Sequence, residues 1–338
     1  MFEPPRCPHT KCRMHASPEP GFFRRHGYYH PKCRAHAVPR FVCRACRRSF
    51  SRQTFRMDYR DHRPDTNHQL FVLLTAGVGL RQSSRILALS LSCTQLKSRK
   101  IARHLRRLNA NLRGPLEGVV GLQFDELETY EDRRSTRPLT LGILIHRESR
   151  FLIAARAAPI RPSGPMPARR RKAVAEDEMR FGRRQSRSRA TVRSVLRRGA
   201  EIVRGASAVV LQSDEKTTYP ALARQVFGEN RLIHERTPSK MPRHTWNPLF
   251  PINHTEAFAR DLVSRLRRES WLVSKRRWFL NLHLELFAAY RNYVRPRFNR
   301  DRKTPAELLG FIKRPLTIGR LMSWRQDWGV GSIHPLTG

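Results

Sequence analysis

The spacing of apolar positions changes character along the chain and divides it into stretches of different texture. Residues 1–60 carry short strand-like runs, GFFRRHGYY and PRFVCRAC, set among Cys, His and polar residues. From 67 to 113 the spacing turns helical. Leu70, Leu73 and Leu74 precede a Gly77-Val78-Gly79 break, Ile86, Leu87 and Leu89 follow it, and Leu96, Ile101, Leu105 and Leu108 then recur one turn apart. Residues 116–158 read as strands: GVVGLQFDELE, then PLTLGILIH and FLIAARAAPI on either side of the turn Arg147-Glu148-Ser149-Arg150. A helix, a buried strand (ASAVVLQSDE) and another helix are expected next, and 253–294 is expected to be one long helical stretch. Within it Leu280, Leu284, Phe287 and Tyr290 mark a core face, and Trp271 and Trp278 read as a packing stripe before a base-stacking surface. Thr304-Pro305-Ala306-Glu307 has the form of a capping box, with Pro at the first helical position.

Charge narrows the class of partner. The 338 residues hold 67 Lys and Arg against 27 Asp and Glu, a formal charge of +40, and only ten of the cations are lysine. Self-repulsion of that size opposes a folded state unless an anionic partner offsets it, and nucleic acid is the obvious polyanion. Arginine's planar fork binds phosphate and guanine bidentately, which favours nucleic acid over a lipid surface. Neither a run of about 18 apolar residues nor the apolar core of a signal peptide is present, so no membrane partner is expected. At 39% apolar and aromatic content, the chain has enough material for two or three small cores. Residues 160–190, RPSGPMPARRRKAVAEDEMRFGRRQSRSR and flanks, are Pro-rich and basic and read as a solvated insertion, with disorder the default.

Five of the six cysteines fall in the first fifth of the chain. Cys7-x4-Cys12 and Cys43-x2-Cys46 are two close thiol pairs separated by 30 residues. In a cytosolic setting such crowding points to metal before disulfide. Zinc takes four tetrahedral soft ligands, and two tight turns supply two each, so one structural Zn²⁺ on Cys7, Cys12, Cys43 and Cys46 is expected to staple a ribbon. Cys33, His9, His26, His30 and His36 stand as substitutes or bystanders, and Cys93 as an inert residue between helices. Downstream, RQSSRILALSLSCTQLKSRKIARHLRRL reads as helix, short turn, helix. A second helix starting near Ser92 or Thr94 would carry Gln95, Lys97, Ser98, Arg99 and Arg103 outward, as in a helix-turn-helix. Gln95 and Arg99 are then the expected base readers, and Lys100 and Arg103 the phosphate contacts. A basic helical hairpin packed on its neighbours is the plainer alternative.

In so basic a chain an acid inside an apolar strand stands out. Asp125 ends the run Val119–Phe124 and Asp214 ends the run Ala208–Ser213, so both are expected near the C-terminal ends of neighbouring strands. Two such carboxylates can share a pair of hard divalent cations, and a paired-metal site activates water and stabilises the departing oxygen at a phosphodiester. A third acid from a helix would complete it. Glu126, Glu128 and Glu215 are near enough to be auxiliary ligands or decoys.

The ordered set of cysteine pairs, helix-turn-helix, FDELE, strand hairpin, LQSDE and NHTEAFARDLVSRLRRESW resembles insertion-sequence-type DDE transposases with an N-terminal zinc ribbon. RFVCRACRRSFSRQTF looks like the end of that ribbon, TPAELLG resembles the tail many such enzymes carry, and the resemblance spans roughly 7–310. It implies a multi-domain chain: a zinc ribbon (1–60), an all-α helix-turn-helix (61–114), and an α/β ribonuclease H-like core with a central mixed sheet (115–310), carrying the basic insertion near 160–190 and followed by a tail (311–338). It further implies that Asp125, Asp214 and Glu256 are the catalytic acids and hold two Mg²⁺ or Mn²⁺ ions, with 88 and 41 residues between successive members. Asn253, Glu256 and Arg260 share a helical face, and Arg260 takes the place where these enzymes often carry a basic residue on DNA phosphate. The alternative is an ordinary helix start, with Asn253 as cap and Glu256 at the third position. The implied activity is binding of terminal inverted repeats, strand cleavage and strand transfer into target double-stranded DNA. The implied assembly is a homodimer or larger on that DNA, in the bacterial cytoplasm on the nucleoid. Two competing functions share these features: a decayed or repurposed transposase that only binds specific DNA, and a nuclease that cuts without joining.

Overall fold

Short apolar-polar alternation and longer helical spacing each produce the element they predict, and two sheets result. The computed structural model describes residues 2–31, 36–267 and 270–325, which places Cys33 outside the described residues. A helical turn, α1 (Arg13–Ala16), and strands β1 (Phe23–Tyr29), β2 (Val38–Cys43) and β3 (Ser49–Ser51) open the chain. Helices α2 (Thr66–Thr75), α3 (Leu80–Ile86) and α4 (Leu91–Leu112) follow. Next come β4 (Glu117–Tyr130), β5 (Pro138–His146), β6 (Leu152–Pro159), α5 (Ala168–Phe181), α6 (Ser188–Ile202), β7 (Gly205–Asp214), α7 (Tyr219–Phe227) and β8 (Leu232–Thr237). The chain continues through α8 (Phe250–Leu262), α9 (Arg277–Ala289) with a π-helical turn at Tyr290–Val294, α10 (Pro305–Leu308) and α11 (Ile318–Ser323). The chain divides into two compact units, Met1–Val72 with Ser84–Leu112 and Leu316–Gly338, and Leu73–Ser83 with Arg113–Pro315.

In the first unit β1, β2 and β3 form an antiparallel sheet around a small aromatic core. Phe22, Phe41, Phe50 and Phe55 pack against Cys7, Cys12 and Cys43. Phe23–Phe41 and Phe50–Phe55 meet edge to face, the geometry favoured by ring quadrupoles. The α3–α4 connection is a tight turn: Ala88 takes φ +49° and Leu89 N–H donates to the Ser84 carbonyl. Ser90 then caps α4, its hydroxyl accepting from Cys93 N–H. α4 buries Ile101, Leu105 and Leu108 at the spacing the sequence shows.

The second unit is a five-stranded mixed sheet in the order β6-β5-β4-β7-β8. β4, β5 and β6 are antiparallel neighbours, whereas β7 runs parallel to β4, and β8 parallel to β7. A parallel neighbour needs a crossover, which the stretch holding α5 and α6 provides between β6 and β7. Helices cover both faces: α6 packs on β5 and β6 from one side, α8 and α9 on β4, β5 and β6 from the other. Gly199 of α6 permits close approach, because a Cβ there would lie 2.6 Å from Leu144 Cδ2. On the α8–α9 side Leu141, Ile143 and Ile145 join Ile252, Ala259, Leu280, Leu284 and Phe287 in one core. Pro305 and the reciprocal Thr304–Glu307 hydrogen bonds start α10 as the capping box predicts.

Four expectations are corrected. The 160–190 stretch is not a structureless insertion: ARRRKAVAEDEMRF is rich in good helix formers and makes α5, whose Asp177 is held by Arg137 at 3.0 Å. The helical pattern from 253 is broken between Leu262 and Arg277, so that Trp271 is fully exposed in a turn and Trp278 is partly exposed on α9. No Trp stripe packs there. β8 was hidden in the sequence because its residues, LIHERT, alternate into solvent at the sheet edge. Lys97 turns inward from α4 instead of outward, donating to Asp61, the Arg63 carbonyl and Asn67.

Candidate active site and metal centre

The two thiol pairs converge. Cys43 and Cys46 bracket a turn in which Arg47 N–H donates to the Cys43 carbonyl and Arg47 itself takes φ +58°. Cys7 and Cys12 bracket the opposite turn, tied by Cys12 N–H to the His9 carbonyl and Cys7 N–H to the Met14 carbonyl. Cys7 and Cys46 sulfurs stand 3.7 Å apart and Cys12 and Cys43 sulfurs 3.8 Å apart, with all four within 4.8 Å of one another. Thiolates at about 2.3 Å around a tetrahedral zinc lie roughly 3.8 Å from each other, so the spacing fits that ion. None of these sulfurs is in a disulfide. Burial pushes the Cys7 and Cys12 thiols up. At Cys43 burial acts the same way, but N–H donors from Cys46 and Ala45 outweigh it and bring the thiol down. The four cysteines could hold a metal such as zinc.

The carboxylates are placed by the central strands. The β4–β7 parallel ladder runs from Glu117 beside Gly205 to Gln123 beside Gln212. Two residues further along each strand, past the last pair of that ladder, come Asp125 and Asp214, near enough for the Asp214 charge to act on Asp125. Asp125 is therefore not at the end of its strand, because β4 continues to Tyr130 along β5. Alternation puts Gln123, Asp125 and Leu127 on the α8 side, and Phe124 and Glu126 on the α6–α7 side.

Helix α8 is fastened to this same row. The buried Gln123 side chain donates through Nε2 to Gln212 Oε1 and to the Pro248 carbonyl, both at 2.7 Å. Its Oε1 accepts from Ile252 N–H at 3.0 Å, satisfying a first-turn donor of α8. Gln212 in turn donates to Glu235 on β8 at 2.7 Å. Glu256 lies one helical turn beyond Ile252, as Asp125 lies one strand repeat beyond Gln123. An amide row thus sits beneath an acid row and fixes the height of α8 over the strands.

Electrostatics shows the three acids within reach of one another. Glu256 is 9% exposed, and its Oε1 has no hydrogen-bond partner. Burial, then the charges of Asp125 and Asp214, push its carboxyl up to about 8 against the opposing pull of Arg243 and Arg260. Burial raises Asp125 to about 6, and the Asp214 charge adds to that rise. Asp125 Oδ1 accepts only from its neighbour Glu126 N–H, and Asp214 Oδ1 from Lys216 N–H. Among the described residues the cysteines are the one group gathered within 4.8 Å, so the acids are not closed around a single point. Hard oxygens, a buried oxygen lacking a partner and carboxyls held above their ordinary range form a donor set that divalent cations would relieve.

The remaining sequence candidates divide clearly. Glu126 is engaged on the opposite face, where it accepts from Thr140, Ser188 and Tyr219 and pairs with Lys216. Glu128 and Glu215 are exposed. Asn253 does not cap α8, which begins three residues earlier at Phe250, and Asn253 N–H donates within the helix to Leu249. Glu256 is consequently beyond the first turn, outside the capping position. Arg260 reaches the Glu128 carbonyl at 3.2 Å. On α4, Gln95 and Arg99 are half-buried and Arg103 is exposed, whereas Lys100 pairs with Asp61 and donates to the Tyr59 carbonyl. His234 bonds Ser213, and His244 accepts from Trp246 N–H. Sequence reasoning missed Gln123, Gln212 and Arg243. The first two were legible in principle as polar residues two before each acid in otherwise apolar strands; Arg243 had no such mark.

No known protein family matches the chain, and no curated protein does. A chain in the cryo-electron microscopy structure of the simian T-cell lymphotropic virus intasome, in complex with PP2A regulatory subunit B56 gamma, matches over 72% of this chain and 71% of its own length. It is 10% identical with a TM-score of 0.27, too low to carry an argument.

Proposed function

We propose that the protein is a transposase that cuts and joins DNA strands at a ribonuclease H-like site formed by Asp125, Asp214 and Glu256. The observation that carries this is the convergence of three carboxylates from β4, β7 and α8, with Asp125 and Glu256 held above their ordinary range, within a chain of net charge +40. A purely structural acid cluster would be neutralised by arginine in so basic a chain, as Asp177 and Glu131 are. Asp125, Asp214 and Glu256 would hold two Mg²⁺ or Mn²⁺ ions, which when bound lower the pKa of water and offset charge on the phosphodiester.

The chain's own residues then act on the DNA. Arg243 and Arg260, whose charges reach Glu256, would meet the phosphates flanking the scissile bond. Water replaces one P–O bond at the element end and frees a 3′-hydroxyl. That hydroxyl forms a new P–O bond with target DNA as the target's own P–O bond breaks. Gln95 and Arg99 would read bases and Arg103 contact phosphate, with the cysteine ribbon adding affinity. Lys100 could join them only by leaving Asp61. Joining two ends calls for at least two copies.

The test is an assay of purified, zinc-loaded protein on labelled duplexes carrying the element's ends, with Mg²⁺ or Mn²⁺. Cleavage with a joined product is expected, and Asp125→Asn or Asp214→Asn should abolish both. Full cleavage by either variant removes the site assignment. Cleavage without joining indicates a nuclease, and shifted but uncut DNA a binding protein.

A further inference from the structure

The side of α8 turned away from Glu256 borders a second, unassigned site. Phe250, His254 and Phe258 recur every four residues along that side, and His254 is two residues, about 200°, around the helix from Glu256. A cavity of about 380 Å³ opens there, lined by His254, Phe258 and the segment 295–301. That volume lies in the range of small-ligand sites.

Its walls combine cations with flat rings. Arg295 lies over Phe258 at 4.4 Å and Arg150 over Phe298 at 3.7 Å. Fully buried Arg291 donates to the carbonyls of Pro296 and Arg297, which fixes the segment. Arg300 is exposed at the rim. Asp301 is the one carboxylate lining the cavity, and Arg297 engages it at 2.6 Å. Arg150 is 5% exposed, yet its Nη1 has no partner. Packing alone explains Arg291, but it does not explain a buried guanidinium with one nitrogen unsatisfied near Arg291 and Arg297. The charge balance asks for an anion.

The rings ask for more than an anion. His254 stacks on Phe258 with an interplanar angle of 25° and lies 5.4 Å from Phe298. Its Nδ1 is buried and has no partner. An aromatic wall beside a guanidinium cluster suits a base joined to a phosphate.

We propose that this cavity binds one unstacked nucleotide of a DNA strand, its phosphate on Arg295 and Arg300 and its base against His254. The inference rests on the DNA reading above for the source of the nucleotide, and the assay below separates the two. Full-length zinc-loaded protein without Mg²⁺ is titrated with 2-aminopurine deoxyribonucleoside 5′-monophosphate, followed by fluorescence, and with a short single strand ending in the same nucleotide. Saturable quenching of both probes is expected. Deoxyribose 5-phosphate and inorganic phosphate should compete at least about tenfold more weakly, given the stacking contribution of a base. Arg300→Ala, at an exposed position, should weaken binding about tenfold, as loss of a charge-assisted contact does. His254→Ala should weaken the nucleotide but not inorganic phosphate, with circular dichroism verifying the fold. Absent quenching, equal competition by phosphate, or unchanged binding in both variants overturns the proposal. So does quenching by the free nucleotide alone, which would mark a free-nucleotide site. Strand cleavage without quenching sinks the cavity and spares the transposase; quenching without cleavage does the reverse.

Discussion

Gln123 shows how one side chain can set a site it does not enter. Its amide satisfies a carbonyl before α8, an N–H in the first turn of α8, and Gln212 on the adjacent strand. Gln123→Leu leaves those buried groups without partners, and each such loss costs about 1–3 kcal/mol. The variant should unfold at lower denaturant, and its cleavage rate should fall further than stability alone explains, because α8 and Glu256 lose their register. A cleavage rate equal to the native protein's at full folding would show that the amide row does not position the acid. Glu256 itself makes a pH prediction. Its folded carboxyl titrates near 8 against an ordinary 4.5. The folded state therefore holds a proton that the unfolded chain releases, and this contribution is fully present below about 4.5 and lost as pH rises through 8. Without Mg²⁺, stability should decline from pH 5 to 8 by an amount on the order of 2 kcal/mol. Asp125→Asn should flatten that decline, which thermal unfolding across pH would record.

Among the elements, the small cysteine-bearing sheet depends on its metal ligands and the five-stranded sheet on its packing. The first has a core of a few phenylalanines, so metal binding should contribute much of its folding free energy. Cys43→Ser is expected to drop zinc from about one per chain to near none by elemental analysis, and to open residues near β1–β3 to protease. Zinc retained at full stoichiometry would overturn the ligand set. In the sheet, α6 depends on the absence of a side chain at Gly199. Gly199→Ala would drive a methyl into Leu144 and should destabilise by about 1–3 kcal/mol, read from urea unfolding. α5 carries the lesson that basic, Pro-flanked composition does not by itself mean irregular chain. Its helix-forming residues and one Asp177–Arg137 pair were enough.

At the scale of the whole molecule, charge dominates. The excess of arginine runs through ribbon, helices and sheet, and no helix among the described residues is long and apolar enough to cross a membrane. Phosphate neutralisation releases counterions, so DNA affinity should fall steeply and linearly on a log-log plot of salt, losing roughly 10³-fold or more between 50 and 200 mM. A shallow slope, measured by fluorescence anisotropy, would mean that few of these arginines touch DNA. The same field explains why acids are informative here. Asp61, Glu131, Asp177 and Asp301 are each engaged by arginine or lysine, whereas among the described residues no such ion pair engages Asp125, Asp214 or Glu256.

Local pattern was enough to locate β4, β5, β6 and β7, α6 and α7, the capped start of α10, and the two cysteine pairs, because each follows from periodicity or spacing within a few residues. It also singled out Asp125 and Asp214 as polar residues where apolar runs stop. Glu256 came forward only through resemblance, and what surrounds it was not local at all. Strand register, set by pairing between residues 89 apart in the chain, brings Asp125 and Asp214 to the same end of the β4–β7 ladder. Gln123 binds a helix more than 120 residues later. Lys97 turns inward because Asp61 and Asn67 fold back to meet it, and the cation-lined cavity exists because the segment after α9 returns to the back of α8. Periodicity reports what one element does with its own neighbours; partners for buried polar groups are chosen across the fold, and only the tertiary structure decides them.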